Sequence, residues 1–365
     1  MEIVFETAYD AIIEKIQQID PVKYASTRNY VDGSITRLSP YISRGVISTR
    51  QVLEAVLQKG YHLGQIESFV KELCWRDYFQ RVAQHKNLNT EIRQAQTPIT
   101  NHGISAQIVT ANTRIEGIDR AIKQLYQTGY MHNHCRMYTA SLACNIAKSH
   151  WYHPAKWMYY HLLDGDWASN ACSWQWVAGA NSSKKYYANQ ENINKYTHTD
   201  QSNTYLDLSY EGLEKMDTPT TLSDTEIFPL VLELPDNTNI KLDGRLPTFI
   251  YNYYQLDPEW HKDTLGNRIL LLEPDFFDEY PVSKKCMEFI MALSKNIPDI
   301  QMYVGSFQSL IDNYGVKNIY YKEHPLNTHY SGTQEERDWI AKDVAEYYPS
   351  FFGYWKKVEK YLKNK

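Results

Sequence analysis

From Pro40 to His198, apolar residues recur at i, i+3, i+4 and i+7 in TRQVLEAVLQKG, IESFVKELCWRDYFQRVAQ, GIDRAIKQLYQTG and RMYTASLACNIAKSHW, the spacing that lines one face of an α-helix. The first half of the chain is therefore expected to be all α. Between residues 206 and 266 that rhythm is lost. Pro219, Pro229, Pro235, Pro247 and Pro258 punctuate polar clusters, so the stretch reads as a connecting segment with one strand expected at FPLVLEL. Beyond it the pattern changes again, to a strand at RILLLE, a helix at SKKCMEFIMALSKN, a strand at QMYVG, a helix at FQSLIDNYG and a strand at NIYYKE. Strands alternating with helices predict right-handed βαβ crossovers and a parallel sheet. The expected fold is thus mainly α: a helical domain over residues 1–205, a connecting segment over 206–266, and a smaller α/β, Rossmann-like domain over 267–365.

A chain of 365 residues is too long for one hydrophobic core, in keeping with that division. Hydrophobic residues make up 43% and charged residues 22%, the balance of a folded rather than a disordered chain. No run approaches the roughly 18 apolar residues of a membrane span, and the opening MEIVFETAYDAIIEKIQQID is acidic and amphipathic, unlike a signal peptide. No membrane partner is expected, and the chain is placed in the cytoplasm as a monomer. The cysteines Cys74, Cys135, Cys144, Cys172 and Cys286 are odd in number and form no C-x-x-C pair, which favours buried, reduced thiols over a disulfide framework or a zinc ribbon. The net charge of −5 hides an asymmetry: residues 1–200 carry 21 Lys and Arg against 17 Asp and Glu, the remainder 17 against 26. Any nucleic-acid partner should then meet a local basic patch on the first half. Six of the nine tryptophans and nine of the twelve histidines also lie before residue 201, which directs the search for chemistry there.

Glu72, Trp75, Arg76 and Phe79 share one helix face, joining a carboxylate, an indole and a guanidinium above an aromatic ring. The spacing fits a grip on a polar aromatic ligand, and equally a surface ion pair over a core tryptophan. Asn133, Arg136 and Met137 repeat the geometry, flanked by His132 and His134, whose separation of two points them to different faces and away from a shared metal. LLDGDWASNACSWQW gathers Asp164, Asp166, Asn170, Trp174 and Trp176 around a helix-breaking turn. Paired acids of this kind can hold a metal, the backbone of a turn, or the donors of a heterocycle, and the lack of further ligands at metal spacing argues against the first. VDGSITRLSPYISRG places hydroxyls and Arg37 before a helix opening at Ser39 and Pro40, an anion site or a solvated cap. The α/β half carries neither G-x-G-x-x-G nor a P-loop, so the sequence supports no common dinucleotide site there.

The ordered series YASTRNYVDGSITRLSPYISRGVIS, ELCWRDYF, GIDRAIKQL, TGYMHNHCRM and DGDWASNACSWQW resembles the flavin-binding domain of the DNA photolyase and cryptochrome family over about residues 20–200. The resemblance implies FAD held by Tyr24, by Thr36, Arg37, Leu38 and Ser39 around its phosphates, and by Arg76, Asn133, Arg136, Asp164, Asp166 and Asn170, with Asn170 facing flavin N5. It implies a flipped cyclobutane pyrimidine dimer met by Arg28, Glu72, Trp75, Asn133, Met137 and Trp176; of these, Glu72, Trp75, Asn133, Met137 and Trp176 take the catalytic positions. The same family would relay electrons to the flavin through Trp174 and Trp151. One DNA-contacting arginine of the family is His134 here. Asn133 and Met137 resemble the cyclobutane-dimer class, since the six-four class resembles a histidine pair there.

The chain also departs from the family. The usual W-x-x-G-x-T-G-x-P run is replaced by IVTANTRIEGID, and the third relay tryptophan aligns near Pro98, with Trp157 or a neighbouring tyrosine as the substitute. YPVSKKCMEFIMALSKNIPDIQMYVG and FFGYWKKVEKYL faintly resemble pieces of the family's antenna domain, which implies a circular permutation; the antenna chromophore stays unassigned. The expected function is light-driven, FAD-dependent repair of UV-damaged DNA by a photolyase. A cryptochrome-like photoreceptor without repair activity is the alternative, followed by a flavoprotein with a scaffold role.

Overall fold

The structure, a computed structural model, describes residues 3–237 and 239–364. They form two compact units, neither continuous in sequence: one from Val22–Ile35 and His85–Leu230, the other from the residues up to Pro21, Thr36–Gln84 and the chain from Val231 onward. Those bounds differ from a division at 205 and 267, because the helices before residue 85 pack with the α/β segment.

The first unit is helical. Its main helices are Glu116–Thr128, Asn133–Ser141, Tyr152–His161, Trp167–Ala178 and Gln190–Thr197. The Trp167–Ala178 helix packs on both Asn133–Ser141 and Tyr152–His161. Gly129 and Gly179 close two of these helices in the left-handed conformation, at φ 70° and 83°. Asn133–Ser141 runs on into a single π-turn, Leu142–Ile146. Two short strands, β1 (Ile104–Ser105) and β2 (Thr225–Glu226), pair antiparallel. The strand expected at FPLVLEL does not form. Pro229 and Pro235 interrupt it, and the Phe228 amide is given to His153 Nε2 at 2.8 Å rather than to a ladder.

The second unit joins helices Tyr9–Gln17, Thr49–Gln58 and Leu63–His85 to a parallel sheet of β3 (Thr248–Tyr251), β4 (Asn267–Leu272), β5 (Ile300–Val304), β6 (Ile319–Lys322) and β7 (Thr333–Glu335). The order is β5-β4-β3-β6-β7, with every pair parallel. Lys284–Ser294 and Phe307–Tyr314 make the crossovers flanking β5. Ile250, Ile269, Leu271, Phe307, Leu310 and Tyr321 share one buried cluster. Helices with an α/β domain were expected, and both are present. The segment 206–266 is not merely connecting, however, since β3 within it is the central strand. The C-terminal helix Phe351–Lys363 buries Phe351, Tyr354, Trp355 and Val358.

Polar contacts tie the Leu63–His85 helix into this unit. Asp77 is buried, accepting from Thr49 Oγ1 at 2.8 Å and from the Ile340 amide at 3.1 Å. The Arg81 guanidinium lies 3.7 Å from the centre of the Trp339 ring and donates to the Lys342 carbonyl, while the Tyr78 hydroxyl donates to the Tyr348 carbonyl. All five cysteines are buried thiols, and burial pushes Cys135 up to about 12.

Candidate functional site

In the helical unit, the turn before Trp167 separates the two acids by role. Arg136 Nη2 donates to both oxygens of Asp164, at 3.0 and 2.9 Å, while its Nε donates to the Met131 carbonyl at 2.8 Å. The Asp164 side chain is only 4% exposed, so the pair is a fixed, charge-assisted contact. Asp166 is the N-cap of the Trp167–Ala178 helix and accepts from the Ser169 amide at 2.8 Å. Asn170, one turn on, donates its amide nitrogen to the Ala155 carbonyl at 2.8 Å. Its amide oxygen remains for another donor.

Asn133 is the exposed first residue of its helix, with Arg136 and Met137 one turn further. His132 precedes it as the N-cap and accepts from the His134 amide, and the two imidazole rings do not point to different faces but lie nearly parallel, centroids 6.5 Å apart and planes at 11°. His134 stacks on Tyr196 at 4.8 Å and 17°. Burial, and then the positive charge of Arg28, hold its pKa below the ordinary histidine value. Tyr24 sits one helical turn before Arg28, whose amide donates to the Tyr24 carbonyl at 2.9 Å. Trp176 is 40% exposed and tilted against Tyr186. Trp174 and Trp151 are buried; Trp151 packs on Trp167 at 6.3 Å and edge-on to Tyr152 at 5.4 Å. Trp157 is buried and donates to the Tyr126 hydroxyl at 3.1 Å.

In the second unit, Thr36, Arg37, Leu38 and Ser39 lead into the short helix Ser39–Ser43. Arg37 adopts φ 52°, left-handed and non-glycine, and Leu38 follows at φ −90° and ψ −10°. Left- and right-handed residues in succession turn adjacent backbone N–H groups into an anion-binding concavity, and a strained non-glycine residue within it points to function. Glu72, Trp75 and Arg76 lie on the Leu63–His85 helix, where Arg76 donates to the Ile42 carbonyl at 3.4 Å. Trp75 does not present both faces to solvent. Phe351 stacks on it with centroids 3.7 Å apart and planes 10° from parallel, and Phe79 tilts against it at 5.3 Å.

Two features had no sequence signal. Arg44 is fully buried, its guanidinium 3.8 Å from the Tyr253 ring centre and donating to the Tyr253 carbonyl at 3.3 Å. At the carboxyl edge of the sheet, Tyr254, Glu273, Phe276, His324 and Tyr330 line a cavity of about 30 Å³, the room of a single water. Glu273 there already accepts from the Phe307 amide and His329, so the edge is largely filled by its own contacts.

Residues 69–226 match the family described as the FAD binding domain of DNA photolyase. The deoxyribodipyrimidine photo-lyase of Alkalihalophilus pseudofirmus is 29% identical over 178 residues, 47% of this chain and 37% of that protein. That of Agrobacterium fabrum is 32% identical over 151 residues, 39% of this chain and 31% of the relative. A cryptochrome DASH of Idiomarina loihiensis is 28% identical over 213 residues, 53% and 46% of the two chains. The matched part thus spans about a third to a half of these relatives' length. Among solved structures, a Synechocystis cryptochrome aligns at a TM-score of 0.47 and 23% identity, over 53% of this chain and 44% of that one. Among the described residues no helix is long and apolar enough to cross a membrane.

Proposed function

Residues 69–226 of this chain belong to the FAD-binding domain family of DNA photolyases, and from that premise we propose that the protein binds FAD and splits cyclobutane pyrimidine dimers in UV-damaged DNA under light. The observation that carries the reading is the Arg136–Asp164 pair, held within the matched stretch that also carries Asn170. The donor set fits a flavin dinucleotide. Within the helical unit, the Asp164 carboxylate accepts from ring or ribose donors while Arg136 fixes its orientation, and the Asn170 amide oxygen accepts from a flavin N–H.

When bound and reduced, the cofactor supplies light absorption and the electron that the dimer needs. The chain's own residues do the rest. Arg28 attracts backbone phosphate, and Trp176 of the helical unit offers a stacking surface to the dimer turned out of the duplex; in the second unit Trp75 keeps one face for stacking, the other being covered by Phe351. Glu72 in its protonated form donates its carboxyl O–H to a dimer carbonyl, a hydrogen bond that strengthens as negative charge develops there. Asn133 and Met137, side by side on one helix, are the remaining contacts to the lesion. His134, uncharged at neutral pH because of burial and Arg28, adds shape rather than phosphate affinity.

The similarity to a cryptochrome DASH supports a photoreceptor as the second reading. The two separate in one experiment: purified protein, with its flavin reduced, is mixed with a dimer-bearing oligonucleotide under blue light. Restoration of intact thymines supports repair. A yellow protein that binds damaged and undamaged DNA alike and restores nothing supports the photoreceptor, and a colourless protein that takes up no FAD removes both.

A further inference from the structure

The C-terminal helix Phe351–Lys363 divides sharply into two faces. At 100° per residue, Phe351, Tyr354, Trp355 and Val358 fall on one arc, and all are buried. Lys356, Lys357 and Lys360 fall on the opposite arc, and all are exposed. Elsewhere in the same unit Lys71, Lys262, Lys284 and Lys322 each sit on a carboxylate, and Lys363 pairs with Glu359 at 2.5 Å. Among the described residues, Lys356, Lys357 and Lys360 have no such pair. Three exposed, unpaired cations thus stand together in the acidic half of the chain.

We propose that this helix face is a DNA-backbone contact, with Lys356, Lys357 and Lys360 neutralising phosphates of the duplex that flanks the lesion. Charge complementarity selects a polyanion. Two observations select nucleic acid over an anionic membrane. A helix that lies in a lipid interface needs its apolar face for the acyl region, and here that face is already spent inside the protein, leaving only Phe352 as an exposed apolar side chain at 63%. The helix is also fastened through Phe351 to Trp75, on the helix assigned to the lesion, while its lysines lie on the opposite, exposed face, open to the flanking duplex. Lys356 and Lys360, one turn apart, are separated by about 6 Å along the helix axis, a spacing that lets each meet its own phosphate. The proposal rests on DNA being the substrate, but not on repair taking place.

The test is the salt dependence of dark binding by the flavin-loaded protein to an undamaged duplex. Each phosphate neutralised contributes about 0.9 to the slope of log affinity against log salt, so Lys356→Ala/Lys357→Ala/Lys360→Ala should lower the slope by about 2 to 3 and weaken binding at least tenfold at low salt. Lys284→Ala/Lys317→Ala, which removes two cations elsewhere on the same unit, should leave the slope unaltered. A triple variant with the wild-type slope, or a wild-type protein that binds phosphatidylserine vesicles but not the duplex, overturns the proposal. Light-driven repair at saturating DNA is scored separately. Loss of repair in the wild-type protein overturns the photolyase reading while leaving the slope comparison to decide this one.

Discussion

Arg136 reaches both oxygens of Asp164 because the two residues are delivered by different elements, one from a helix start and the other from the turn that begins the Trp167–Ala178 helix. Removing the guanidinium leaves a nearly buried carboxylate without its cation. Arg136→Ala should therefore lower stability by about 3 kcal/mol, read as a shift in the urea midpoint, and release FAD, read as loss of flavin absorbance. Arg136→Lys keeps the charge but not the two-pronged contact, so it should retain part of the stability and little of the flavin. At this scale the sequence was half legible. The Asp-Gly-Asp run marked a special turn, and the structure divides its acids: Asp164 takes the ion pair, while Asp166 serves the backbone of the turn by capping the helix. Composition could not assign those roles, since both acids sit in the same run and differ only in what lies opposite them in space.

Between elements, the stack of Phe351 on Trp75 fastens the C-terminal helix to the Leu63–His85 helix. Phe351→Ala removes a buried ring and should cost about 3 kcal/mol or more, measured by denaturant unfolding. It should also uncover one face of Trp75 and so tighten binding of a dimer-bearing oligonucleotide relative to remaining folded protein. Weaker dimer binding at equal folded fraction would show that the ring supports the wall rather than covering it. The helices and the crossovers around β5 were legible because their apolar residues repeat at 3.6 or fill short runs between turn residues. β3 was not. It holds four residues after Pro247, is buried on both faces and so shows no alternation, yet it is the strand on which the whole sheet is centred. FPLVLEL failed in the opposite sense, since an apolar run bracketed by prolines lacks the amide donors a ladder needs.

For the whole molecule, three histidines link stability to pH. Burial, ahead of nearby cations, lowers the pKa of His134, His153 and His324, the last well below the ordinary value. The unfolded chain then binds more protons than the folded one as pH falls below about 6.5, so the stability these groups contribute is present above that value and is lost toward each folded pKa. The unfolding midpoint should drop between pH 7 and 5, and His324→Gln should flatten that fall if it folds with the wild-type midpoint at pH 8. Domain independence gives a second expectation. Deleting residues 267–365 removes the Ile340 amide from Asp77, Trp339 from Arg81 and Phe351 from Trp75. The truncated chain should fail to fold and should not retain flavin, as circular dichroism and absorbance of the purified fragment would show. A well-folded yellow fragment would restore the division at residue 267.

The Asp77–Ile340 bond spans 263 residues, and it sets a schedule during synthesis. At about 5 to 20 residues per second, the Leu63–His85 helix leaves the ribosome roughly 13 to 50 seconds before the segment that satisfies it. For that interval a carboxylate, an arginine and several aromatic rings destined for the interior are held in the open. Newborn chains should therefore be most vulnerable to aggregation late in translation, and a premature stop near the 3′ end of the message should be as damaging as one near its middle.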